Sequence, residues 1–414
     1  MSETVTVNNC RSCGSKDLLE IFSLGNQYIS QFVSSDEEGT RVPLDVILCN
    51  ECALLQVRHN APAELMWNDQ YGYKSGISST IRNDLKDIVE KVQKIRSLNE
   101  EDVVVDIGCN DGTMLGFYSN NIKKVGFEPS SNVAKEAKAK GFLVINNFFN
   151  APDFKTNLPG KKARVITAIS MFYDLEDPNQ FIKDIVECLD NEGVLVIQQN
   201  YLGTMLENNA FDNILHEHRE YYSLTSLNNL LRKYDLEVFD IEQNEINGGS
   251  IRTYIRKKGN NSINIFEGAK ERINGVLAKE KSMVLTTRKP YDEFANRLTS
   301  IKERLLEFLN TEKEKGKKIA AYGASTRGNV ALQYFDLSPK LIDFVSDKNS
   351  DKWGKKTVGT LIPIASPTEI MQKKPDYLLV MTWHFLNEIM KQESEFHKAG
   401  GKFVVAMPDF KVYN

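Results

Sequence analysis

The sequence predicts an α/β protein with a small cysteine-bearing N-terminal module, a central doubly wound domain and a second α/β domain. Two apolar runs, 103–107 and 318–322, each lead into a glycine-containing loop and a helix-like stretch, which is the pattern of strand, turn and helix in a parallel sheet. Two Cys-x-x-Cys pairs precede both units. The predicted boundaries are 1–72 for the N-terminal module, 73–260 for the central domain, 261–316 for a helical connector and 317–414 for the C-terminal domain.

Length and composition describe a soluble globular protein. The 414 residues are enough for two to four domains, and 41% of them are hydrophobic and 26% charged. A net charge of -4 gives no electrostatic reason to expect nucleic acid or a membrane as a partner. Because no leader-like segment or membrane-length apolar run is present, a cytoplasmic location is expected. The oligomeric state stays open, with a monomer as the expectation because no long apolar heptad pattern indicates a coiled coil.

Four cysteines near the N-terminus, Cys10, Cys13, Cys49 and Cys52, form the two Cys-x-x-Cys pairs. Each pair presents two thiolates from one tight turn, and two such turns complete a tetrahedral Zn²⁺ site. In a reducing compartment these cysteines are expected to bind metal rather than form disulfides; redox-active or unliganded thiols are the alternatives. A closed four-thiolate site leaves no open position for substrate, so a structural role is predicted.

The loop after the first strand of the central domain predicts a cofactor site. In Asp106-Ile107-Gly108-Cys109-Asn110-Asp111-Gly112 the two glycines let the backbone approach a ligand closely. Glu128 ends the next predicted strand, where an acid can accept both hydroxyls of a ribose. The loop lacks the G-x-G-x-x-G spacing that hydride-transfer cofactors favour. It resembles instead the first two motifs of class I S-adenosylmethionine (SAM)-dependent methyltransferases; a purely structural βαβ unit is the alternative.

Further residues are predicted to flank this site, because ligands of parallel sheets bind beyond the carboxyl ends of strands. Phe172 follows one predicted strand and is expected beside the cofactor, and Asn200 follows the next and is expected to face the substrate. The aromatic segment 67–76, which contains Tyr71, precedes a helix predicted near 79–97. It is expected either to fold over the cofactor as a lid or to serve as an ordinary linker.

Two histidines, His216 and His218, flank Glu217. Their i, i+2 spacing disfavours chelation of one metal ion from a helix. A carboxylate beside a histidine can orient the imidazole and stabilise its protonated form, which suits general-base chemistry. A polar surface turn is the alternative interpretation of this run.

Two more loops are candidate substrate contacts. Asn247-Gly248-Gly249-Ser250-Ile251-Arg252 is a tight turn before a strand, and its arginine can pair with a phosphate or carboxylate; a hairpin turn with an exposed arginine is the alternative. Gly323-Ala324-Ser325-Thr326-Arg327-Gly328-Asn329 opens a helix, which favours a bound diphosphate. Because Walker A spacing is absent, ATP hydrolysis is disfavoured.

Five features in this order resemble the sugar C-methyltransferases that act on nucleotide-linked 4-keto-6-deoxy sugars. They are the Cys-x-x-Cys pairs, the loop 106–112, Glu217-His218, Gly248-Gly249-Ser250-x-Arg252, and Tyr322-Gly323-Ala324-Ser325-x-Arg327-Gly328-Asn329. The resemblance covers nearly the whole chain. It implies a zinc-binding N-terminal module, a central class I SAM methyltransferase domain with a Rossmann-like fold, and a second Rossmann-like domain that helps hold a nucleotide-diphosphate sugar.

The resemblance also implies roles for individual residues. His218 takes the general-base position with Glu217 beside it, in a reaction that methylates a carbon through an enolate; methylation of a sugar hydroxyl or an amine is the alternative. Two departures, Leu215 where the family often has tyrosine and Asn247 where it commonly has histidine, leave the sugar open. SAM is expected at Asp106, Gly108, Asn110, Gly112, Glu128, Phe172 and Tyr71. The sugar nucleotide is expected at His216, Tyr222, Asn200, Gly249, Arg252, Tyr322, Ser325, Arg327 and Asn329.

Overall fold

The structure is a computed structural model that describes residues 4–34, 39–66 and 74–414. Its N-terminal module contains β1 (Val5–Thr6), β2 (Leu18–Tyr28), β3 (Phe32–Val33), β4 (Arg41–Cys49), β5 (Leu55–Val57), β6 (His59–Asn60) and the short helix α1 (Ala63–Met66). Strands β2, β4 and β5 pair antiparallel in one sheet. In β4 the side chains of Val42, Leu44 and Val46 are buried and those between them are not, which is the period of two of a half-buried strand.

The central domain is a seven-stranded sheet with helices on both faces. Its elements are α2 (Ser79–Ile95), β7 (Val103–Ile107), β8 (Lys123–Phe127), α3 (Ser131–Ala139), β9 (Leu143–Ile145), α4 (Ala151–Asn157), β10 (Ala163–Ile169), α5 (Pro178–Cys188), β11 (Leu189–Asn200), α6 (Leu202–Glu207), β12 (Glu220–Tyr221), α7 (Leu224–Leu231), β13 (Leu236–Asn244) and β14 (Ser250–Lys257). The strand order is β13-β14-β11-β10-β7-β8-β9. Neighbours from β11 to β9 are parallel, and β14 is antiparallel to β11 and to β13. The predicted mostly parallel sheet is thus confirmed.

The first strand and helix of this domain differ in how well the sequence predicts them. All five residues of β7 are buried, because helices cover both faces of a parallel sheet. The helix-like stretch predicted after the first glycine-containing loop, residues 113–118, is not an α-helix: its only helical part is a 3₁₀ helix at Leu115–Phe117. Asp111 explains the difference, since its carboxylate accepts both the backbone N–H and the hydroxyl of Thr113 (3.1 and 2.6 Å) and competes with helical bonding.

Strand β12 belongs to the central domain in sequence and to the N-terminal module in space. It pairs antiparallel with β5, Glu220 opposite Gln56 and Tyr221 opposite Leu55, to give a four-stranded sheet β12-β5-β4-β2. The Val57 N–H also donates to the Arg219 carbonyl oxygen at 3.0 Å. The cysteine-bearing sheet therefore holds the backbone that directly follows His218.

Two helices connect the central domain to the C-terminal domain: α8 (Ala269–Met283) and α9 (Lys289–Glu314). The connector is helical as predicted, but α9 is more buried than its charge content suggests. Leu298, Ile301, Leu305 and Leu309 form a buried stripe on α9 at the spacing of one helical face. They pack into an apolar core that also contains Ile319 of the next strand.

The C-terminal domain is a six-stranded sheet. Its elements are β15 (Ile319–Tyr322), α10 (Thr326–Tyr334), β16 (Val345–Ser346), β17 (Lys356–Thr357), β18 (Ile364–Ala365), α11 (Thr368–Lys373), β19 (Tyr377–Val380), α12 (Leu386–Gln392), α13 (Ser394–Lys398), β20 (Lys402–Val405) and β21 (Lys411–Tyr413). The order is β18-β16-β15-β19-β20-β21, parallel except for β21. Strand β17 pairs instead with β3 of the N-terminal module. Among the described residues, no helix combines the length and apolarity that crossing a bilayer requires.

Candidate active site

A cavity of about 360 Å³ lies beyond the carboxyl ends of β7, β8, β9 and β10. This is the edge where α/β sheets bind ligands, and the volume suits a small molecule. Four residues predicted to contact a cofactor line it together: Asp106, Gly108, Asn110 and Glu128. The described part of the chain therefore contains a concave site where the sequence predicts one.

Glu128 is held at the cavity by the backbone. Its Oε2 accepts the Asn110 N–H at 3.0 Å, and its Oε1 accepts the Ser130 N–H at 2.8 Å. Burial raises the pKa of the Glu128 carboxyl. Each carboxylate oxygen can accept a further hydrogen bond, so the group can bind two adjacent ligand hydroxyls.

Gly108 and Asn110 shape the loop that faces the cavity. Gly108 has φ +69°, and a Cβ there would lie 3.3 Å from Met171 Cγ on the next loop. Asn110 has φ +52°, and its Oδ1 accepts the Ser75 N–H at 2.9 Å. The loop is thus tied to the segment before α2, and the positive φ of Gly108 together with the close Met171 side chain favours glycine at this position.

Asp106 ends β7 and lines the same cavity. The Thr167 hydroxyl donates to its Oδ1 at 2.7 Å, and burial raises the pKa of Asp106 to about 7. This carboxyl group is therefore neutral in a large fraction of molecules near neutral pH.

Two of the residues predicted at the cofactor, Gly112 and Phe172, take other positions, and a third is not described. Gly112 packs under Phe142, where a Cβ would lie 2.8 Å from the ring, and it is absent from the cavity wall. Phe172 is fully buried between the rings of Phe181 and Tyr222 (centroids 5.7 and 5.2 Å away). Tyr71 lies outside the described residues.

Asp174 lines the cavity and was not singled out as a site residue from the sequence. Its Oδ1 is buried and has no hydrogen-bond partner within the described ranges. Burial, and then the nearby Glu217 carboxylate, raise the pKa of Asp174 well above its usual range. The sequence feature that could have identified Asp174 is its place just after β10, because the end of that strand is predicted to flank the cofactor.

His218 is fixed in one tautomer. Its Nδ1 lies 2.9 Å from the Asn213 carbonyl oxygen, and because a carbonyl only accepts, Nδ1 carries the hydrogen and Nε2 keeps a free lone pair. Burial, and then the positive charge of Arg327, lower the pKa of His218 to about 3. The Tyr173 ring packs against the imidazole at a centroid distance of 4.2 Å. The imidazole is therefore neutral near neutral pH.

Glu217 directly precedes His218 in the chain, but its carboxylate does not orient the imidazole through a hydrogen bond. His218 Nδ1–H donates to the Asn213 carbonyl oxygen instead, and Glu217 Oε2 has no hydrogen-bond partner among the described residues. Burial raises the pKa of Glu217 to about 7. The predicted His–Glu contact is thus replaced by a backbone anchor.

His216 and Tyr222 point away from His218. His216 is fully buried and donates from Nε2 to the Val42 carbonyl oxygen in β4, at 2.9 Å. The Tyr222 hydroxyl is buried and donates to Glu220 at 2.8 Å. His216 thus bonds the central domain to the N-terminal module, and Tyr222 packs in an apolar cluster with Cys49 and Leu54 of that module. Both side chains lie in the protein interior rather than at the predicted substrate contacts.

Asn200 and Gly249 lie near the loop that carries His218. The Asn200 amide donates to the Asn213 side chain at 2.7 Å, so it supports the residue that anchors the imidazole. Gly249 has φ +121°, and a Cβ there would overlap Thr204. The backbone of Gly249 therefore lies close to Thr204 of the same chain, whereas the sequence predicted a close approach to the substrate.

Arg252 is completely enclosed by its own domain. Its guanidinium lies 2.8 Å from Asp84, 2.8 Å from Asp87 and 3.0 Å from Glu242, and only 1% of the side chain is exposed. A buried arginine surrounded by carboxylates is not open to a substrate phosphate. Arg252 therefore neither contacts a ligand, as predicted, nor is exposed in a hairpin turn, as the alternative has it. It joins α2 to the sheet.

The loop before α10 meets the central domain. The Ser325 hydroxyl caps the helix by accepting the Gly328 N–H at 2.9 Å. Arg327 reaches across to Asp212, with Nε 2.9 Å from Oδ2. Asn329 is buried, and neither amide atom has a partner in the described part of the chain. Tyr322 ends β15 beside this loop and is also buried.

The four N-terminal cysteines converge on one point. Their sulfur atoms all lie within 4.8 Å of one another, with 3.5 Å between Cys10 and Cys52 and 3.4 Å between Cys13 and Cys49. Four sulfurs this close fit a single tetrahedral ion at a Zn–S distance of about 2.3 Å. The donor set and geometry therefore fit the predicted structural Zn²⁺.

Comparison with known protein families matches nearly the whole chain in three consecutive parts. A zinc binding domain matches residues 10–67, a methyltransferase domain matches residues 79–241, and a C-methyltransferase C-terminal domain matches residues 245–408. The chain is a C-methyltransferase, and each of its three parts is similar to one of these family descriptions. It is a SAM-dependent enzyme that carries a zinc-binding module, and the resemblance predicted from the sequence motifs is confirmed.

One relative is similar to the chain over nearly its full length, and several solved structures are similar to part of it. The C-methyltransferase NovU of Streptomyces niveus is 29% identical over 413 residues, which are 98% of this chain and 97% of that relative. Among solved structures, the plantazolicin methyltransferase BpumL in complex with SAH is 15% identical, covers 44% of this chain and 87% of its own, and has a TM-score of 0.36. Magnesium protoporphyrin IX methyltransferase from Synechocystis PCC 6803 is 10% identical, with 42% and 79% coverage and a TM-score of 0.33.

Proposed function

We propose that this C-methyltransferase acts on a nucleotide-linked keto-deoxy sugar, with His218 as the base that forms an enolate. The observation that carries the proposal is the tautomer of His218. Because its Nδ1–H is committed to the Asn213 carbonyl oxygen, the Nε2 lone pair is free to accept a proton. Methyl transfer to carbon needs such a base, since a carbon next to a ketone must lose a proton before it becomes nucleophilic.

The proposed reaction assigns a task to each group near His218. His218 Nε2 takes the proton, and the electron pair of the broken C–H bond forms the enolate. SAM supplies an electrophilic methyl group, which bonds to the enolate carbon as its bond to sulfur breaks. Glu217 is ionised in part of the molecules near neutral pH, because burial raises its pKa to about 7, and its carboxylate then stabilises the imidazolium that forms.

A diphosphate handle on the substrate is supported by the start of α10. This helix is nine residues long, and helix N-termini bind anions through free N–H groups and the helix dipole. The second observation is Asn329, whose buried amide is unpaired among the described residues. A nucleotide bound there would direct its sugar towards the loop of Asp212 and His218, because Arg327 on the same turn contacts Asp212.

The identity of the sugar depends on two positions that depart from the family pattern. Leu215 is buried in the apolar core, and the Asn247 amide donates to the Ser170 hydroxyl at 3.3 Å beside the cofactor cavity. Neither side chain offers the tyrosine or histidine group of the family. These positions are expected to select among keto sugars, and they keep methylation of a hydroxyl or an amine as the alternative.

Replacing His218 tests the proposal. His218→Asn should lower turnover by about 10²–10⁴-fold, the contribution of a positioned base, and leave SAM affinity by calorimetry unchanged. Incubation in D₂O without SAM should exchange the hydrogen on the carbon next to the ketone in the wild type but not in His218→Asn. His397→Asn, which removes another histidine bonded to a carbonyl oxygen, is the matched control and should keep full turnover.

Two results would contradict this assignment. Near-normal turnover in His218→Asn would remove His218 from the mechanism. Methyl transfer by the wild type without any deuterium exchange would exclude the enolate and favour methylation of oxygen or nitrogen.

A further inference from the structure

Arg327 extends from the C-terminal domain to the loop that carries His218. Its Nε and Nη2 lie 2.9 and 2.7 Å from Asp212 Oδ2, and its Nη1 donates to the Asn247 carbonyl oxygen at 2.7 Å. Asp212 has no exposed surface. An ion pair shielded from water is screened far less than a surface pair, so salt should weaken this contact between the domains only slightly.

The partner of Arg327 and the anchor of the imidazole are neighbours in sequence. Asp212 binds the guanidinium, and Asn213 provides the carbonyl oxygen that receives His218 Nδ1–H. A second group of the C-terminal domain also binds Asp212: Trp383 Nε1 donates to Asp212 Oδ2 at 3.3 Å. Any shift of Asp212 is therefore transmitted to the imidazole through a single peptide unit.

We propose that Arg327 is a positioning residue for proton abstraction, which clamps the Asp212 carboxylate and so fixes the loop on which His218 acts. This role rests on the proposed function of His218 and differs from the diphosphate contact predicted for Arg327 from the sequence. The guanidinium is already committed to acceptors of the central domain. The C-terminal domain thus helps assemble the catalytic base as well as the substrate site.

The clamp also places a positive charge beside the imidazole. After burial, this charge is the second cause that lowers the pKa of His218, and it lowers the pKa of His384 as well. Asp212 offsets part of the guanidinium charge. The other charged and titratable groups in this region are Asp174, Glu217, Arg219 and, from the C-terminal domain, His384.

Removal of the Arg327 charge should shift the pH dependence of the reaction. A positive neighbour disfavours the imidazolium, so removal of the Arg327 charge raises the pKa of His218. Because the base works only when it is unprotonated, the acidic limb of kcat/KM then moves to higher pH. A purely structural contact would change the stability without moving this limb in a charge-dependent way.

The experiment compares Arg327→Gln, which removes the charge, with Arg327→Lys, which keeps it. The readouts are NMR titration of the imidazoles and the pH profile of kcat/KM. The chain has five histidines, so His218→Asn identifies the relevant signal. We expect the pKa of His218 to rise by about one pH unit or more in Arg327→Gln and to stay near the wild-type value in Arg327→Lys.

The matched control is Arg304→Gln, which breaks an exposed ion pair with Asp409 on the C-terminal side of the molecule; it should leave both readouts unchanged. If Arg327→Gln does not fold, Arg327→Met removes the same charge and fills the cleft with an apolar chain. An unmoved His218 titration and acidic limb in the charge-removing variant would overturn the inference. The proposed function fails separately, if His218→Asn keeps its turnover.

Discussion

Glu128 shows how one side chain serves both the protein and its ligand. Its two oxygens accept backbone N–H groups on either side of the cavity, from Asn110 and Ser130. These bonds fix the turn after β7 and leave lone pairs for a ribose. The same residue therefore orders the loop after β7 and is expected to bind the cofactor.

Replacement of Glu128 should weaken SAM binding more than it affects folding. Hydrogen bonds to a charged group contribute about 1.5–3 kcal/mol, so Glu128→Ala is expected to raise the Kd for SAM, measured by calorimetry, by about 10-fold or more. Glu101→Gln removes an exposed carboxylate that pairs with Lys161 and is the matched control. Unchanged affinity in Glu128→Ala would contradict the ribose role.

Strand β12 is the element that links the cysteine cluster to the chemistry. It has only two residues and begins two positions after His218, and it is held by β5, which lies just beyond Cys52. So short a strand has little stability of its own and depends on its partner. The zinc-binding module is therefore part of the scaffold of the loop that carries His218.

Loss of the metal should consequently reduce turnover as well as stability. In Cys49→Ser the module is expected to lose Zn²⁺ and the β5–β12 pairing to loosen, and misplacement of a catalytic group by about 1 Å can cost on the order of 10²-fold. Zinc content, melting temperature and kcat are the measurements. Cys188→Ala, which alters a buried thiol outside the cluster, should keep the zinc. A zinc-free protein with normal kcat would contradict this link.

The whole molecule is stabilised by an apolar core shared among its parts. One cluster contains Leu44 of the N-terminal module, Leu215 of the central domain, Leu305 of α9 and Leu332 of the C-terminal domain. Pairing of β3 with β17 adds a direct link between the first and last domains. The three domains are thus expected to unfold together rather than independently.

His216 makes this assembly sensitive to acid. Burial lowers the pKa of His216 to about 4 in the folded protein, whereas an unfolded histidine has a pKa of about 6.5. The unfolded chain therefore binds the proton more tightly, and stability is lost as the pH falls from about 6.5 towards 4. Between pH 7 and pH 5 the loss from this residue is on the order of 2 kcal/mol.

The measurement is thermal unfolding of the wild type and His216→Gln at pH 7 and pH 5. The variant is expected to be less stable at pH 7, because it loses a buried contact with Val42, and to lose less stability on acidification. His397→Gln, on a half-buried histidine of α13, serves as the control. An equal acid-induced loss in wild type and His216→Gln would contradict the role of His216.

Local patterns in the sequence determined much of the fold and part of the site. The apolar run at 103–107, the cysteine spacing and the acid at 128 each depend on neighbours within a few residues or on one strand end, and the structure brings them where these patterns predict. Hydrophobic periodicity and turn chemistry are local properties, which is why they can be derived from a single chain.

The tertiary structure alone decided which groups the charged side chains meet. Arg252 and Arg327 look equally available for a phosphate in the sequence, yet one is enclosed by Asp84 and the other by Asp212, more than a hundred residues away. Likewise the anchor of His218 is a backbone carbonyl oxygen and not Glu217. A buried charge or imidazole must be paired wherever a partner is within reach, and that reach is set by the packing of whole domains, not by spacing along the chain.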